Sequence, residues 1–312
     1  MGFCCALTVA VLAAFIAIPL FAIQIADYVL WDGHFGEYQK VGWDYWYSFM
    51  YHLDANSNFE FMNWGLQTDP LHKCATGAAE PLQANLYTQL GSMAGSWEGA
   101  RVLEVGSGRG GGAKALSKCF CPSLYVGVDL NALQVASATK RSGSSGPCPL
   151  SFVQGDAENL PFADASFDIV VNVESSHTYP HFDRFVAEVR RVLRQGGRFV
   201  ITDFRERPQL PAMLAVLGSP LHEIGSEDIT SKVAASLREE LGVSGRVNKL
   251  IKSVCPSYFE AFCLKFAGES AQKQMEADEK AYVMYAYELR GAEKMPFEGD
   301  VLAYAANWSS GR

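Results

Sequence analysis

The strongest constraint on the fold is a short apolar run that leads directly into a cluster of glycines. Residues 101–105, Arg-Val-Leu-Glu-Val, have the composition of a buried strand, and the glycine-rich segment 106–112 follows them. A helical pattern begins at about Ala113. Glycines between a strand and a helix let the backbone approach a ligand at the helix amino terminus. The segment therefore predicts a nucleotide-like ligand.

Further strand-like runs continue this βα alternation. They cover residues 124–128, 151–153, 169–173 and 198–202, and a late run over 281–289 has apolar residues at a spacing of two. A helix is predicted before the 198–202 strand, because its apolar residues form one stripe at helical spacing. These are Phe182, Phe185, Val186, Val189, Val192 and Leu193. The alternation predicts a parallel sheet with crossover helices.

The chain divides into four predicted segments. Residues 1–27 are a hydrophobic membrane anchor or signal-anchor, and residues 28–95 are an aromatic-rich helical lead-in and lid. Residues 96–290 form the α/β domain, with a helical insertion at about 205–253, and residues 291–312 form a carboxyl-terminal tail.

The amino-terminal apolar run is interrupted only by Thr8 and Pro19 between Phe3 and Ile23. A helix of this length reaches about 31 Å, the thickness of a hydrocarbon core. No basic residue precedes the run, and the run is longer than the apolar part of a signal peptide. A retained anchor is therefore favoured over a cleaved signal or an interfacial helix, and we expect a single-pass membrane protein.

Charge and cysteine usage exclude some classes of protein. The chain has 26 Lys and Arg against 34 Asp and Glu, a net charge of -8, so nucleic acid is not an expected partner. Its eight cysteines include no C-x-x-C pair and no regular framework, which favours a reduced, cytosol-facing domain. Cys119 and Cys121 are predicted to be buried thiols rather than metal ligands, and no metal site is expected. Nothing in the composition indicates an oligomeric state.

The glycine-rich segment alone leaves two cofactor classes open. Gly106, Gly108 and Gly111 also satisfy G-x-G-x-x-G, the dinucleotide pattern. Asp129 closes the next strand, where a carboxylate accepts hydrogen bonds from both ribose hydroxyls of a dinucleotide or of another nucleoside-containing cofactor.

A third motif separates the two classes. The segment 155–162, Gly-Asp-Ala-Glu-Asn-Leu-Pro-Phe, follows the third strand, and Phe167-Asp168 opens the fourth. With the glycine-rich segment and Asp129, this combination resembles the class I S-adenosylmethionine-dependent methyltransferases. The resemblance implies a Rossmann-like α/β fold with a mostly parallel seven-stranded sheet and helices on both faces, to which this chain adds the amino-terminal hydrophobic helix.

The same resemblance implies a set of residues that bind S-adenosylmethionine. Glu104 and the backbone of Gly106 to Gly110 would surround the methionine part, Asp129 the ribose, and Asp156 and Ala157 the adenine. The full set of cofactor residues is Glu104, Gly106, Ser107, Gly108, Gly110, Asp129, Leu130, Asp156, Ala157 and Asn172. Taken singly, each of these carboxylates has an alternative structural role: Glu104 could brace the loop, Asp129 could cap the next helix, and Asp156 could form a turn.

A closer resemblance rests on longer motifs between about Glu37 and Arg290. They are residues 44–49, 63–64, 85–87, 106–113, 155–162, 172–182 and 192–197. These segments resemble the mycobacterial phthiotriolone/phenolphthiotriolone dimycocerosate methyltransferases, which O-methylate a long-chain lipid hydroxyl. Two departures are the hydrophobic amino terminus and Gln195, which replaces the usual proline of an R-P-G-G turn.

Histidine and glutamate after the fourth strand are the candidate catalytic residues. An alcohol is too weakly acidic to ionise beforehand, so O-methylation benefits from a base that takes the proton as the bond forms. His177 is predicted to be that base, with hydrogen bonding to loop backbone as its alternative role. Glu174 is predicted to orient His177 or to close over the cofactor, and bracing the loop is an equal alternative.

Aromatic residues of the lead-in are candidates for the acceptor site. Tyr47, Trp64 and Tyr87 are predicted to roof the cofactor and line an apolar acceptor channel, although core or lid packing is the favoured explanation for most such residues. His181 completes the predicted substrate set, with a structural role as its alternative.

The sequence therefore predicts a membrane-anchored S-adenosylmethionine-dependent methyltransferase that acts on a hydroxyl of a lipid or polyketide-like small molecule. Methylation of a thioether or amine, a non-catalytic cofactor-binding protein and a nicotinamide-dependent oxidoreductase remain as alternatives. Because S-adenosylmethionine is made in the cytosol, the catalytic domain is expected to face that side.

Overall fold

One seven-stranded sheet organises the domain. The computed structural model describes residues 37–53, 59–143, 148–254, 260, 264–291 and 296–310. The strands are β1 (Arg101–Val105), β2 (Leu124–Asp129), β3 (Leu150–Gln154), β4 (Phe167–Val173), β5 (Leu193–Glu206), β6 (Leu221–Asp228) and β7 (Lys280–Leu289). Their order is β3-β2-β1-β4-β5-β7-β6, with β1 to β5 parallel and β7 antiparallel to both of its neighbours. The predicted Rossmann-like, mostly parallel seven-stranded sheet is confirmed.

Helices cover both faces of this sheet. In chain order they are α1 (Glu37–Leu53), α2 (Pro81–Met93), α3 (Gly111–Phe120), α4 (Ala132–Ser142), α5 (Phe182–Val192), α6 (Leu210–Leu217), α7 (Thr230–Leu241), α8 (Arg246–Val254), α9 (Ser270–Glu276) and α10 (Val301–Ser310). One apolar core lies under α2, α3, α7 and α9, and a second lies under α5, α6 and α10. Successive strand residues such as Val102 and Leu103 enter opposite cores, because side chains alternate along a strand.

The apolar stripe predicted before β5 forms α5. Phe185, Val186, Val189 and Val192 are fully buried, and each buried apolar side chain of this size contributes about 1.5–3 kcal/mol. The helix ends at Val192, and Leu193 already belongs to β5.

The segment 205–253 was predicted to be helical, and it contains α6, α7 and α8 but also the edge strand β6. Seven of the eight β6 residues are exposed or half-buried, so the segment lacks the apolar alternation that identifies a strand. Backbone pairing with β7, from Leu221 opposite Leu289 to Asp228 opposite Val283, holds it in the sheet.

The expectation of reduced cysteines is wrong for the part of the chain that is described. Disulfides join Cys74 to Cys119 and Cys121 to Cys148, so Cys119 and Cys121 are not free thiols. The partners are separated by 45 and 27 residues in sequence, which is why local spacing carried no signal. Cys121 and Cys148 precede β2 and β3, at the amino edge of the parallel strands.

The predicted hydrophobic helix and membrane anchor over residues 1–27 lie outside the described residues. Among the residues that are described, no helix is both long enough and apolar enough to cross a bilayer. This finding corrects the expected localisation as a single-pass membrane protein with its catalytic domain facing the cytosol, because no observed helix supports it.

Candidate functional site

The glycine-rich segment turns sharply at the carboxyl edge of β1. The backbone N–H groups of Gly106 and Ser107 both donate to the carbonyl of Val128, over 2.9 and 3.0 Å. Gly106 has φ of +76°, and a side chain at this position would overlap Ser175. Glycine is therefore required for the turn that brings the backbone beside β2 and β4.

Close packing extends to the first turn of α3. A methyl group on Gly112 would overlap the ring of Tyr87, which is itself buried. We expect Gly112→Ala to lower the free energy of unfolding by about 1–3 kcal/mol, as overpacked cores do, in a chemical denaturation experiment. Gly225→Ala is the matched control, because its methyl group would meet only Met93 at 3.6 Å. Equal losses in the two variants would contradict the packing argument.

The carboxylate of Asp129 orders the next part of the edge. Its Oδ2 accepts from the N–H of Gly108 over 2.8 Å, and its Oδ1 accepts from the N–H of Asn131 over 2.9 Å. Asn131 in turn caps α4 by accepting from the N–H of Gln134 over 3.0 Å. Asp129 thus links the glycine-rich segment to the start of α4.

A cavity opens along the carboxyl ends of β1 to β4. Most of the residues predicted from sequence line it: Gly106, Ser107, Gly108, Asp129, Leu130, Asp156, Ala157, Glu174, His177, Tyr47, Trp64 and Tyr87. Glu104, Gly110, Asn172 and His181 are not in the lining. Asn172 donates to the carbonyl of Val105 over 3.0 Å, and the N–H of His181 donates to Glu158 over 2.8 Å.

Two buried polar atoms beside the glycine-rich segment fit the cofactor that the resemblance implies. Glu104 is fully buried, and its Oε2 accepts from the hydroxyl of Tyr125 over 2.9 Å. Burial raises the pKa of Glu104 to about 8, although hydrogen bonds from Tyr125 and Tyr87 act in the opposite direction. Glu104 Oε1 and Ser107 Oγ have no hydrogen-bond partner among the described residues. A ligand with donor groups at this end would satisfy them.

Helix α1 borders the cavity at the β2 and β3 end. Lys40 Nζ lies 2.9 Å from Asp156 Oδ2 and 2.9 Å from Glu158 Oε2. The side-chain amide of Asn131 donates to Asp44 Oδ1 over 2.7 Å. Sequence reasoning missed Lys40, since a single lysine in a lead-in helix has no distinguishing pattern.

His177 lies at the opposite end, in a short 3₁₀ turn (Ser176–Thr178) after β4. Its Nδ1 is 2.9 Å from Oδ1 of Asp203, and its backbone N–H donates to Oδ2 of the same carboxylate over 2.9 Å. Asp203 is fully buried in β5. Burial alone would raise the pKa of Asp203, but attraction to His177 and Arg205 and hydrogen bonds from His177 and Ser176 outweigh it and hold the pKa well below its usual range. Asp203 is therefore ionised.

Sequence reasoning missed Asp203 as the partner of His177. The available signal was an acidic residue two positions after the apolar run 199–201 of the strand next to β4, where the sheet order brings it close to the turn. Glu174, the predicted partner, bonds elsewhere: its Oε1 accepts from the N–H of Trp64 over 2.8 Å and from the hydroxyl of Tyr282.

Aromatic rings surround the histidine end of the cavity. Trp64 stacks on Phe204 with ring centroids 4.5 Å apart, and Phe204 lies 4.3 Å from the ring of His177. Trp43 meets His177 edge-on at 6.1 Å. These rings give this end an apolar wall around the His177–Asp203 pair and Glu174.

Comparisons with known proteins agree with this geometry. Residues 103–201 match the family described as "Methyltransferase domain". The chain is 37% identical over 262 residues to the phthiotriol/phenolphthiotriol dimycocerosates methyltransferase of Mycobacterium tuberculosis, covering 82% of this chain and 94% of that protein. It is 36% identical to the fatty-acid O-methyltransferase of Mycolicibacterium smegmatis, covering 73% and 82% of the two chains.

Solved structures share the fold at low sequence identity. Geranyl diphosphate methyltransferase in complex with S-adenosylmethionine has a TM-score of 0.58 at 18% identity, covering 74% of this chain and 100% of that one. The cyclase SpnF has a TM-score of 0.61 at 17% identity, covering 78% and 94%. Because a cyclase shares the fold, the fold does not specify the reaction.

Proposed function

Since the chain belongs to the family of the phthiotriol/phenolphthiotriol dimycocerosates methyltransferases, within the class I S-adenosylmethionine-dependent enzymes, we propose that it methylates a hydroxyl group of a lipid or polyketide-like small molecule. Its cofactor is S-adenosylmethionine. The preference for oxygen as the methyl acceptor rests on one observation, the contact between His177 Nδ1 and Asp203 Oδ1 at 2.9 Å.

The His177–Asp203 pair has the properties of an oriented general base. When Nδ1 donates its proton to the ionised Asp203, the lone pair of the ring is on Nε2. His177 lines the cavity, so this nitrogen serves a hydroxyl group that enters the aromatic end. Asp203 also stabilises the imidazolium that forms when the proton arrives.

The remaining residues supply position and exclusion of water. S-adenosylmethionine supplies an electrophilic methyl group when it is bound. Ser107 and Asp129 present polar groups at one end of the cavity, and the buried carboxyl group of Glu104 lies beside that end. The rings of Trp43, Trp64 and Phe204 limit water at the other end. Alignment of a hydroxyl with the methyl group, in a site of low polarity, accounts for a large part of such a rate enhancement.

The acceptor class is supported by two relatives. One is named for phthiotriol and phenolphthiotriol dimycocerosates and the other for fatty acids. The apolar lining of the histidine end suits an acceptor of this kind, because aromatic side chains bury apolar surface.

The test is incubation with isotope-labelled S-adenosylmethionine and a matched panel of long-chain alcohols, fatty acids, thioethers and amines, followed by mass spectrometry of the products. We expect label in a methyl ether or ester, and no label when the same chain carries a thioether or amine. Preferential labelling of sulfur or nitrogen would replace the proposal with S- or N-methylation. Cofactor binding without transfer to any member of the panel would indicate a non-catalytic protein.

A further inference from the structure

The carboxyl group of Glu174 lines the cavity at the point where β4 ends, and the proposed mechanism gives it no role. We propose that Glu174 ionises when the positively charged sulfur of S-adenosylmethionine is bound. The protein then binds this cofactor in preference to the product S-adenosylhomocysteine, whose sulfur is uncharged. This inference depends on the cofactor and not on the identity of the acceptor.

The sheet order places Glu174 beside the reactive end of the cofactor. By the resemblance, adenine lies at β3, ribose at β2 and the methionine part at β1, and the order β3-β2-β1-β4 puts β4 next along that line. Glu174 is the first residue after β4. The transferred methyl group must face the acceptor, and His177, three residues after Glu174, lines the acceptor end of the same cavity. The sulfur that carries this methyl group therefore lies toward Glu174.

The backbone of Glu174 adopts an unusual conformation. Its φ is +43°, in the left-handed region that a glutamate rarely occupies. Such positions concentrate at ligand sites, where the surrounding structure holds them in place. The N–H of Glu174 donates to the carbonyl of Thr202 over 2.9 Å, which fixes the turn against β5.

Only one oxygen of the Glu174 carboxyl is engaged by the described part of the protein. Trp64 N–H and the Tyr282 hydroxyl both donate to Oε1. The other oxygen makes no hydrogen bond to the residues that the structure describes, and the side chain borders the cavity. A positive charge in the cavity is the natural partner for an oxygen in this position, because opposite charges attract strongly where water is excluded.

The charged and titratable groups around Glu174 do not neutralise it. From β7 it meets Tyr282, from α2 Tyr87, and from β5 Asp203, whose negative charge is engaged by His177 and Arg205. Asp129 and Tyr47 face the same cavity. Among the described residues, neither lysine nor arginine makes an ion pair with Glu174.

Burial raises the pKa of Glu174 to about 8, with Asp203 adding to the effect and hydrogen bonds from Tyr282 and Trp64 opposing it. Without ligand, the carboxyl group is therefore mostly protonated at pH 7. A nearby sulfonium favours the ionised form, so binding of the cofactor releases a proton. By linkage, affinity for the cofactor falls as pH drops below 8 and levels off above it. The uncharged sulfur of the product provides no such attraction.

The experiment is isothermal titration calorimetry with S-adenosylmethionine and S-adenosylhomocysteine between pH 6 and 8.5, in two buffers that differ in ionisation enthalpy. For the wild-type protein, the ratio of the two association constants is expected to rise by about tenfold between pH 6 and 8, with proton release on cofactor binding. In Glu174→Gln the ratio is expected to lose this rise. Comparing the two proteins cancels the titration of the ligands' own amino groups.

Glu60→Gln is the matched control, because Glu60 also lines the cavity but its carboxylate lies 2.9 Å from Lys114 Nζ. This variant is expected to keep the wild-type rise of the ratio with pH. Binding of S-adenosylhomocysteine to Glu174→Gln reports that the variant is folded. A pH-independent ratio in the wild type, or an unchanged rise in Glu174→Gln, would overturn the inference. If Glu174→Gln does not fold, the wild-type ratio and proton count still decide it. No acceptor is needed, so failure here is distinct from failure of the proposed O-methylation.

Discussion

Replacement of His177 by alanine is expected to lower kcat by about 10²–10⁴-fold, the range that a positioned general base contributes. The affinity for S-adenosylmethionine, measured by calorimetry, is expected to change little because His177 lies at the acceptor end. His181→Ala is the matched control: His181 is four residues away and is not in the cavity lining. Unchanged kcat in His177→Ala with an oxygen acceptor would refute the base assignment.

Substitution of Asp203 tests the same prediction through the partner of His177. Asp203→Asn removes the charge that stabilises the imidazolium while keeping a side chain of similar shape, so kcat is expected to fall with little change in KM. A double-mutant comparison separates a positioning role from a structural one: Asp203→Asn is expected to lower kcat strongly in the wild-type background and little in His177→Ala, because the effect of Asp203 passes through His177. An equal fall in kcat in both backgrounds would leave Asp203 with a structural role only.

Reduction of the two disulfides is expected to destabilise the protein strongly. They close loops with sequence separations of 45 and 27 residues, and the chain-entropy relation assigns about 3–4 kcal/mol to a loop of either size. We expect the denaturation midpoint to fall markedly when reductant is added. The double variant Cys74→Ser/Cys119→Ser should already have a lower denaturation midpoint, and adding reductant should lower that midpoint by less than in the wild type.

Intact mass spectrometry after alkylation provides an independent measurement of the same prediction. Without reductant, Cys74, Cys119, Cys121 and Cys148 are expected to resist alkylation, and with reductant and denaturant all four should react. Reaction of all four in the native, unreduced protein, with no change in midpoint on reduction, would show that the cross-links do not form. Such bonds persist in oxidising surroundings, which is the opposite of the reduced state expected from composition.

Much of the sheet was predictable because its signal is local. The 101–105 run matches β1 residue for residue, and the 124–128 and 169–173 runs fall within β2 and β4. A parallel strand buried on both faces reads as a continuous apolar run, so neighbours in space are not needed to recognise it. Strand β6 was missed for the converse reason, since its stability comes from pairing with β7 and not from its own pattern.

The residues missed at the site share a dependence on distant partners. Asp203 is 26 residues from His177, Lys40 is 116 residues from Asp156, and neither pair has a motif. Glu174 was singled out from sequence, but its contacts with Trp64 and Tyr282 join segments that are 110 and 108 residues away. Motifs identify residues that contact a common cofactor, whereas partnerships between side chains depend on how this chain packs.

The direction of the parallel strands also separates two kinds of consequence. The residues that line the cavity follow the carboxyl ends of β1 to β4, while Cys121 and Cys148 come just before the amino ends of β2 and β3. The length of the strands lies between them. Substitutions at the cross-linked edge should therefore alter the lifetime of the folded protein with little effect on the rate of the reaction. Stability can therefore be raised at the cross-linked edge without a change to the residues that line the cavity.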